Sequence, residues 1–273
     1  MNAGGPVVEV VRRFESWLAF LEAASDKSAL PDVARSSRDN DAGFHGTSTW
    51  EAAVELARDA AISPVGIAAG GTGGTFGLVL DASYDASGAE VDVGRYLSGD
   101  PDNMIVYGLK PARRCGRVVT LQVDVSVSHD VPCAEIRSHG AAAFALADVL
   151  RERGLGLDVY VTRRVVPRSS PSRHSWQMVV KVQSSEAPFD ASRVEFAMTH
   201  PAMLRRLAFS LAELEMDPIR RLFRFGAGMG YGVPQPRRLA DVDVYLPRHE
   251  RLADHGGAEG WIESQLQRIG VAA

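Results

Sequence analysis

Two groups of basic side chains in the C-terminal half have the residue types that bind anions. His200 precedes Pro201 at the predicted start of a helix, and Arg205 and Arg206 follow in its first turns. Backbone N–H groups at a helix N-terminus attract anions, and an imidazole can complete such a site. The spacing therefore predicts anion binding at His200, Arg205 and Arg206. The alternative is that His200 caps the helix or packs against it.

The second basic group interleaves arginines with aromatic side chains over residues 220–225. Arginine binds phosphate groups, and phenylalanine stacks on unpaired bases, so this pattern predicts contact with single-stranded nucleic acid. The basic side chains are Arg220, Arg221 and Arg224. The alternative is the end of an amphipathic helix whose apolar side chains lie in the core.

A third pattern has the spacing D-x-S-x-S and consists of Asp124, Ser126 and Ser128, just before a predicted helix. This pattern resembles the metal-ion-dependent adhesion site of von Willebrand factor A domains, where one Asp and two Ser bind Mg²⁺. Hard oxygen ligands on a turn suit Mg²⁺. The resemblance implies a possible Mg²⁺ site with one further threonine, for which Thr199 is the best placed. The alternative is a polar strand face that leaves the sheet as an ordinary loop.

Other motifs are absent or lack the necessary context. The glycine run over residues 66–77 could surround a phosphate, but a predicted strand follows it and no Walker lysine is present, which favours a surface loop. The sequence contains no G-x-S-x-G, H-E-x-x-H or C-x-x-C motif. A non-enzymatic role is therefore favoured over an enzyme.

The elements that must position these residues are clearest in the second half. Apolar and polar residues alternate from Val118 to Ser128, which predicts a strand. A helix is predicted over residues 134–153, and two further strands over residues 157–165 and 175–183. This β-α-β-β order predicts a parallel first pair with a right-handed crossover, followed by a hairpin.

The remaining elements complete an α/β fold. Helices are predicted over residues 6–24, from Thr49 to before Pro64, from Asp190 to before His200, from Pro201, and over residues 258–269, with short strands between residues 89 and 107. We expect a three-layer sheet-and-helix unit, von Willebrand A-like in an intact or a degenerate form, with an N-terminal helical and small-sheet extension. The expected division is residues 1–115 and 116–273, or one continuous domain.

Composition excludes several classes of protein. The 273 residues are 45% hydrophobic and 23% charged, which is typical of a globular protein and not of a disordered one. Two cysteines are too few for a disulfide framework and indicate a reducing compartment. No apolar run approaches the roughly 18 residues of a membrane span, and no secretory signal is recognisable.

Charge is distributed unevenly along the chain. Residues 1–110 carry 8 basic and 16 acidic side chains, a net charge of −8, whereas residues 111–273 carry 22 basic and 18 acidic ones, a net charge of +4. The net charge of the whole chain is −4. A dedicated nucleic-acid binder usually has a more strongly basic balance. Nucleic acid is therefore a possible partner, and a protein partner is preferred.

Three separated segments resemble an uncharacterised family of tailed bacteriophages and prophages. They are residues 50–57, residues 91–105 and residues 200–207. The resemblance implies a phage-encoded protein in the host cytoplasm and supplies no activity. The expected function is a non-enzymatic phage accessory protein that acts as a protein-binding or assembly module. The alternatives are a nucleic-acid-handling protein and an Mg²⁺-dependent module or enzyme, and the oligomeric state stays open.

Overall fold

The computed structural model describes residues 7–26, 37, 41–59, 78–111, 117–169, 173–226, 230–247 and 252–271. Contacts divide the chain into two compact units, Gly70–Gly116 and the combination of Met1–Ala69 with Arg117–Ala273. Residues 1–69 therefore group with residues 117–273, whereas the sequence-based division places residues 1–115 together. The glycine run over residues 66–77 lies outside the described residues.

The larger unit is a mixed α/β structure, as expected. Its strands are β1 (Val8–Phe14), β5 (Val118–Asp124), β6 (Gly156–Val166), β7 (His174–Gln183), β8 (Val233–Pro234) and β9 (Val244–Leu246). Its helices are α1 (Trp17–Ser25), α2 (Ala42–His45), α3 (Trp50–Asp59), α5 (Cys133–Glu152), α6 (Ala191–Thr199), a π-helix (Met203–Ala208), α7 (Phe209–Glu213), α8 (Asp217–Phe223), a 3₁₀ helix (Leu252–His255) and α9 (Ala258–Arg268).

The central sheet has the strand order β1-β7-β6-β5-β9, with β8 paired to β6. Strands β5 and β6 are parallel and are joined by α5, so the predicted β-α-β unit is confirmed. Strands β6 and β7 form the predicted antiparallel hairpin. Parallel pairing also joins β1 to β7 and β9 to β5, which makes the sheet mostly parallel.

The two faces of the sheet differ in chemistry because side chains alternate along each strand. One face is apolar; it includes Leu121, Val159 and Met178 and packs with the helices in a single hydrophobic core. The opposite face carries the buried Gln122, whose Nε2 donates to Thr162 Oγ1 at 2.9 Å and to the Arg237 carbonyl oxygen at 2.9 Å. An irregular segment over residues 235–243 therefore crosses the polar face and satisfies its hydrogen bonds.

The predicted helix over residues 6–24 is wrong in its first half. Residues 8–14 form β1, whose residues alternate between half-buried and exposed beside β7. Val7 and Val11, both assigned to the helical apolar stripe, are 71% and 49% exposed. The β-branched valines favour a strand, and the Ser16 hydroxyl accepts a hydrogen bond from the Ala19 N–H and starts α1.

The helix predicted from Pro201 exists, but its first part is wound as a π-helix. Residues 203–208 adopt this wider winding and α7 follows directly. The predicted apolar face is buried, as Leu204, Leu207 and Leu211 show. π-Helical turns are rare in proteins as a whole, but those that do occur often lie at functional sites.

The smaller unit is described over residues 78–111. It is a three-stranded antiparallel sheet of order β2-β4-β3, with β2 at Leu78–Asp85, β3 at Glu90–Val91 and β4 at Met104–Pro111. A short helix, α4 (Val93–Leu97), begins at Asp92, whose carboxylate accepts a hydrogen bond from the Arg95 N–H. The strands confirm the small sheet expected in this region.

Candidate ligand-binding cleft

A cleft of about 760 Å³ lies at the carboxyl ends of β5 and β6. Open α/β sheets commonly bind ligands at this edge, where the loops that leave parallel strands meet. The cleft is lined by Asp41, Phe44 and His45, by residues 126–130, by Arg163, Val165 and Arg168, by Leu204, Arg205 and Phe209, and by residues 230–234. It therefore combines apolar walls with a few polar and charged groups.

Arg163 is the most unusual of these residues. It is only 2% exposed, although it lies on the apolar face of β6. Four aromatic rings surround its guanidinium group, with centroids 5.1 to 5.9 Å from Cζ; they belong to Trp176, Phe209, Phe225 and Tyr231. Burial lowers the pKa of Arg163 to about 10, so the group is still charged at neutral pH.

The hydrogen bonds of Arg163 are incomplete. Its Nη2 donates to the Tyr231 carbonyl oxygen at 2.7 Å. Its Nη1 is buried and has no hydrogen-bond partner in the part of the chain that the structure describes. No ion pair joins Arg163 to an acidic side chain among those residues. A buried charge without a partner is costly, which makes this donor the strongest indication of a ligand site.

A ring stack, a hydrogen bond and the neighbouring glycine fix the position of Tyr231. Its ring stacks on Phe209 at a centroid distance of 3.7 Å and an interplanar angle of 6°. Its hydroxyl donates to Glu213, which also accepts from the Ser37 N–H at 3.2 Å. Gly232 has φ +78°, and a Cβ there would lie 2.9 Å from Val165. Glycine is therefore required beside Tyr231, and the carbonyl that binds Arg163 is fixed.

Asp124 lies beneath the cleft and is fully buried. Its Oδ1 accepts from the Ser126 N–H at 2.8 Å, and its Oδ2 accepts from Thr162 Oγ1 at 3.3 Å. Burial raises the pKa of Asp124 to about 6, and hydrogen bonds from Ser126 and Thr162 oppose that rise. The carboxyl group is therefore tied into the polar face of the sheet.

The four residues expected to bind Mg²⁺ are brought together only in part. Ser126 and Ser128 line the cleft, and the Ser126 Oγ accepts from the Arg164 N–H at 3.0 Å. Thr199 ends α6, where a Cβ on Gly140 of α5 would lie 2.7 Å from the Thr199 Cα. Among the described residues, no group of three or more His, Cys, Asp or Glu side chains is arranged to hold a metal ion.

Arg205 and Arg206 lie in the π-helix and are buried. Arg205 lines the cleft, but its Nη1 donates to the Phe44 carbonyl oxygen at 2.7 Å and its Nη2 to that of Val131 at 2.5 Å. Arg206 donates to the carbonyl oxygens of Ser37 and Thr47 at 2.8 and 2.9 Å. Both arginines therefore bind backbone carbonyls and join loops to the helix layer.

His200 stacks on Phe196 at 5.1 Å, and its Nδ1 accepts from the Ala202 N–H at 3.2 Å. Burial lowers the pKa of His200 to about 4, so the imidazole is neutral at physiological pH. The geometry is that of the alternative considered for this residue, packing at a helix start.

The arginines of residues 220–225 lie on and just after α8, away from the cleft lining. Arg220 and Arg221 both pair with Asp217, and the Arg221 side chain is 81% exposed. Arg224 follows the helix in a left-handed conformation, with φ 58°. The neighbouring Phe223 and Phe225 are buried in the core, as the alternative for this segment expected.

Sequence reasoning missed Arg163, although a signal was present. The strand over residues 157–165 alternates Val159, Val161 and Val165 toward the core, and Arg163 occupies the remaining position of that apolar face. A charged residue in the apolar register of a central strand is unusual. That conflict was the available signal.

A comparison with family models matches residues 4–273 to a family described as a domain of unknown function (DUF7192). The chain belongs to this family. No curated protein matches the chain, and no solved structure matches it. Membership of the family therefore supplies no activity, and the geometry of the cleft is the basis for a functional proposal.

Among the helices that the structure describes, none has both the length and the apolar character needed to cross a bilayer.

Proposed function

We propose that this protein binds a small anionic molecule in the cleft at the carboxyl ends of β5 and β6. The observation that carries the proposal is the Arg163 guanidinium group, which is buried in an aromatic cage with Nη1 unpaired among the described residues. An anion at Nη1 would supply the missing hydrogen bond and an opposite charge in direct contact, whereas the buried Asp124 acts on Arg163 only from a distance, without an ion pair. The cleft volume falls within the range of small-molecule sites.

The alternative explanation is that the aromatic cage alone stabilises Arg163. Each cation–π contact with a desolvated ring contributes up to about 2 kcal/mol, so the four rings offset part of the penalty of several kcal/mol for burying an ion. The cage does not, however, supply the hydrogen bond that Nη1 lacks among the described residues. The two explanations differ in one respect: only the proposed function makes the stability of the protein depend on an added anion through Arg163.

The proposal is tested by thermal unfolding of the full chain with a panel of small anions. At a concentration of about 100 Kd, a bound anion stabilises the folded state by about 2.7 kcal/mol, which raises the Tm by about 5–10 °C. We expect at least one anion to give such a rise in the wild type. The rise should disappear in Arg163→Met and persist in Arg221→Gln, which changes an arginine outside the cleft. Equal rises in wild type and Arg163→Met, or none with any anion, would overturn the proposal.

The functions expected from the sequence stay predictions. A protein-binding or assembly role in a bacteriophage, a location in the host cytoplasm and a von Willebrand A-like three-layer fold rest on the resemblances alone. Mg²⁺ would have to reach a carboxylate, that of Asp124, which is fully buried and already accepts hydrogen bonds from Ser126 and Thr162. Nucleic-acid binding would depend mainly on the exposed Arg221 and Arg224, since Arg205 and Arg206 are buried.

A further inference from the structure

We infer that the ligand of this cleft is an organic monocarboxylate whose remainder is apolar. The inference rests on the proposed function and specifies the chemical class of the ligand. Three properties of the cleft support it. They are the number of hydrogen-bond donors that lack an acceptor at its buried end, the net charge of its lining and the apolar character of its walls.

The first property is the small number of hydrogen-bond donors without an acceptor at the buried end of the cleft. Nη2 of Arg163 is used by Tyr231, which leaves Nη1 as its open group. The two η nitrogens of Arg205 already donate to carbonyl oxygens. A carboxylate can be bound by one guanidinium edge, whereas phosphate sites usually gather several backbone N–H groups at a helix N-terminus or a nest.

Helix α2, which begins at the cleft, does not supply such N–H groups, and the longer α5 begins at Cys133, beyond the lining residues 126–130. Helix α2 has four residues, and the Asp41 carboxylate at its start accepts from the Phe44 N–H at 3.0 Å. The negative charge that this helix terminus could bind is therefore provided by the protein itself. This arrangement disfavours a phosphate at the α2 end of the cleft.

The second property is the net charge of the lining. Asp41 and Asp130 line the cleft and are exposed, and so is Arg168. With Arg163 and Arg205, the charged side chains of the lining sum to +1, which a monoanion neutralises and a dianion exceeds, so a monoanion is favoured. Arg163 is buried whereas these carboxylates are exposed, which places the anionic end of the ligand at the buried end of the cleft.

The third property is the apolar character of the walls. Aromatic rings of Phe44, Phe209 and Tyr231 line the cleft, and so do aliphatic side chains from Val127, Val165, Leu204, Val233 and Pro234. Burial of apolar ligand surface against such walls is favourable at about 25 cal/mol per Å². The body of the ligand is therefore expected to be apolar, with an aromatic ring as the best fit to the stacked Phe209 and Tyr231.

The experiment compares four probes on the full chain by isothermal titration calorimetry and thermal unfolding. Phenylacetate has both the carboxylate and the ring; phenylacetamide has the same shape without the charge; acetate lacks the ring; inorganic phosphate has the charge in another form. We expect phenylacetate to bind at least tenfold more tightly than the other three and to raise the Tm by several degrees. Arg163→Met should remove this binding, Arg163→Lys should weaken it, and Arg221→Gln should leave it unchanged.

Two outcomes overturn the inference and separate it from the proposed function. If inorganic phosphate binds in an Arg163-dependent way and phenylacetate does not, the ligand class is wrong and the proposed function stands. If phenylacetate and phenylacetamide bind equally, the charge is not recognised and the inference falls. If no probe acts through Arg163, the inference also falls, and the wider anion panel decides whether the proposed function falls with it. Arg163→Lys keeps the test decisive should Arg163→Met fail to fold.

Discussion

The Nη2 of Arg163 donates a 2.7 Å hydrogen bond to the carbonyl oxygen of Tyr231, and its Nη1 is left unpaired among the described residues. Arg205 lines the same cleft and is equally buried, but both of its η nitrogens donate to backbone carbonyls. The cleft thus contains two buried arginines in opposite states. One is already satisfied by the protein and has a structural role, whereas the other has an open donor for a ligand.

This difference predicts that substitution by methionine changes the stability of the protein differently at the two positions. Arg205→Met leaves the Phe44 and Val131 carbonyl groups without their donor, and we expect it to lower the free energy of unfolding by about 2–4 kcal/mol. Arg163→Met removes a buried charge from an aromatic cage and should leave the stability of the ligand-free protein unchanged or increase it. Urea unfolding of both variants measures this. A large loss in Arg163→Met with little change in Arg205→Met would contradict the assignment.

The buried Asp124 predicts a specific pH dependence of stability. Burial raises its pKa in the folded protein to about 6 from 3.8, so between these values the folded state holds a proton that the unfolded state has released. Its contribution to stability is therefore complete below pH 3.8 and is lost as the pH rises through 6. The difference in free energy of unfolding between wild type and Asp124→Asn should fall over that window by about 3 kcal/mol at most. Parallel pH profiles of the two proteins would show that Asp124 titrates normally.

Replacement of Glu215 by alanine or by glutamine should lower the stability of the protein by different amounts. Its carboxylate accepts two hydrogen bonds of 2.6 Å from Arg12 and one of 2.8 Å from the Trp176 indole. Glu215→Ala leaves the buried indole N–H unpaired and separates β1 from its anchor, so we expect a loss of about 3 kcal/mol. Glu215→Gln keeps an acceptor for Trp176, and the freed Arg12 side chain is 42% exposed and can be hydrated, so the loss should be smaller. Chemical unfolding that finds the same loss in both variants would be inconsistent with this arrangement.

The close approach of α5 and α6 at Gly140 leaves no room for a larger side chain. A Cβ at this position would lie 2.1 Å from the Met198 carbonyl oxygen, a backbone atom that cannot move away cheaply. Gly140→Ala should therefore lower the free energy of unfolding by about 3 kcal/mol or more, or prevent folding. Ser138→Ala, at an exposed position of the same helix, should change it by less than about 0.5 kcal/mol. Wild-type stability in Gly140→Ala would mean that the two helices are farther apart.

The central strands could be predicted from sequence because burial on one face produces strict alternation. Residues 118–124 alternate without interruption, and α5 and β6 follow in the order that fixes a parallel pair. The N-terminal strand could not be recognised in the same way. Val7, Val10, Val11 and Phe14 also fit a helical stripe, and the pairing with β7, which lies 166 residues away at Val8 and His174, decides in favour of the strand.

The candidate site was predictable only in its general location. The D-x-S-x-S spacing points to Ser126 and Ser128, and both line the cleft. The helix start at Pro201 predicts an anion site that includes Arg205, but π-helical winding and two backbone carbonyls make this residue structural. Arg163 was missed because its importance depends on rings contributed by β7, α7 and the Tyr231 segment, none of which is near it in sequence.

A crystal structure of the full protein with phenylacetate bound would show directly whether Nη1 of Arg163 binds the ligand. We expect a carboxylate oxygen about 2.7–3.2 Å from Nη1 of Arg163, with the ring beside Phe209 and Tyr231. A structure in which a protein carbonyl or carboxylate occupies Nη1, and phenylacetate lies elsewhere or is absent, would contradict it.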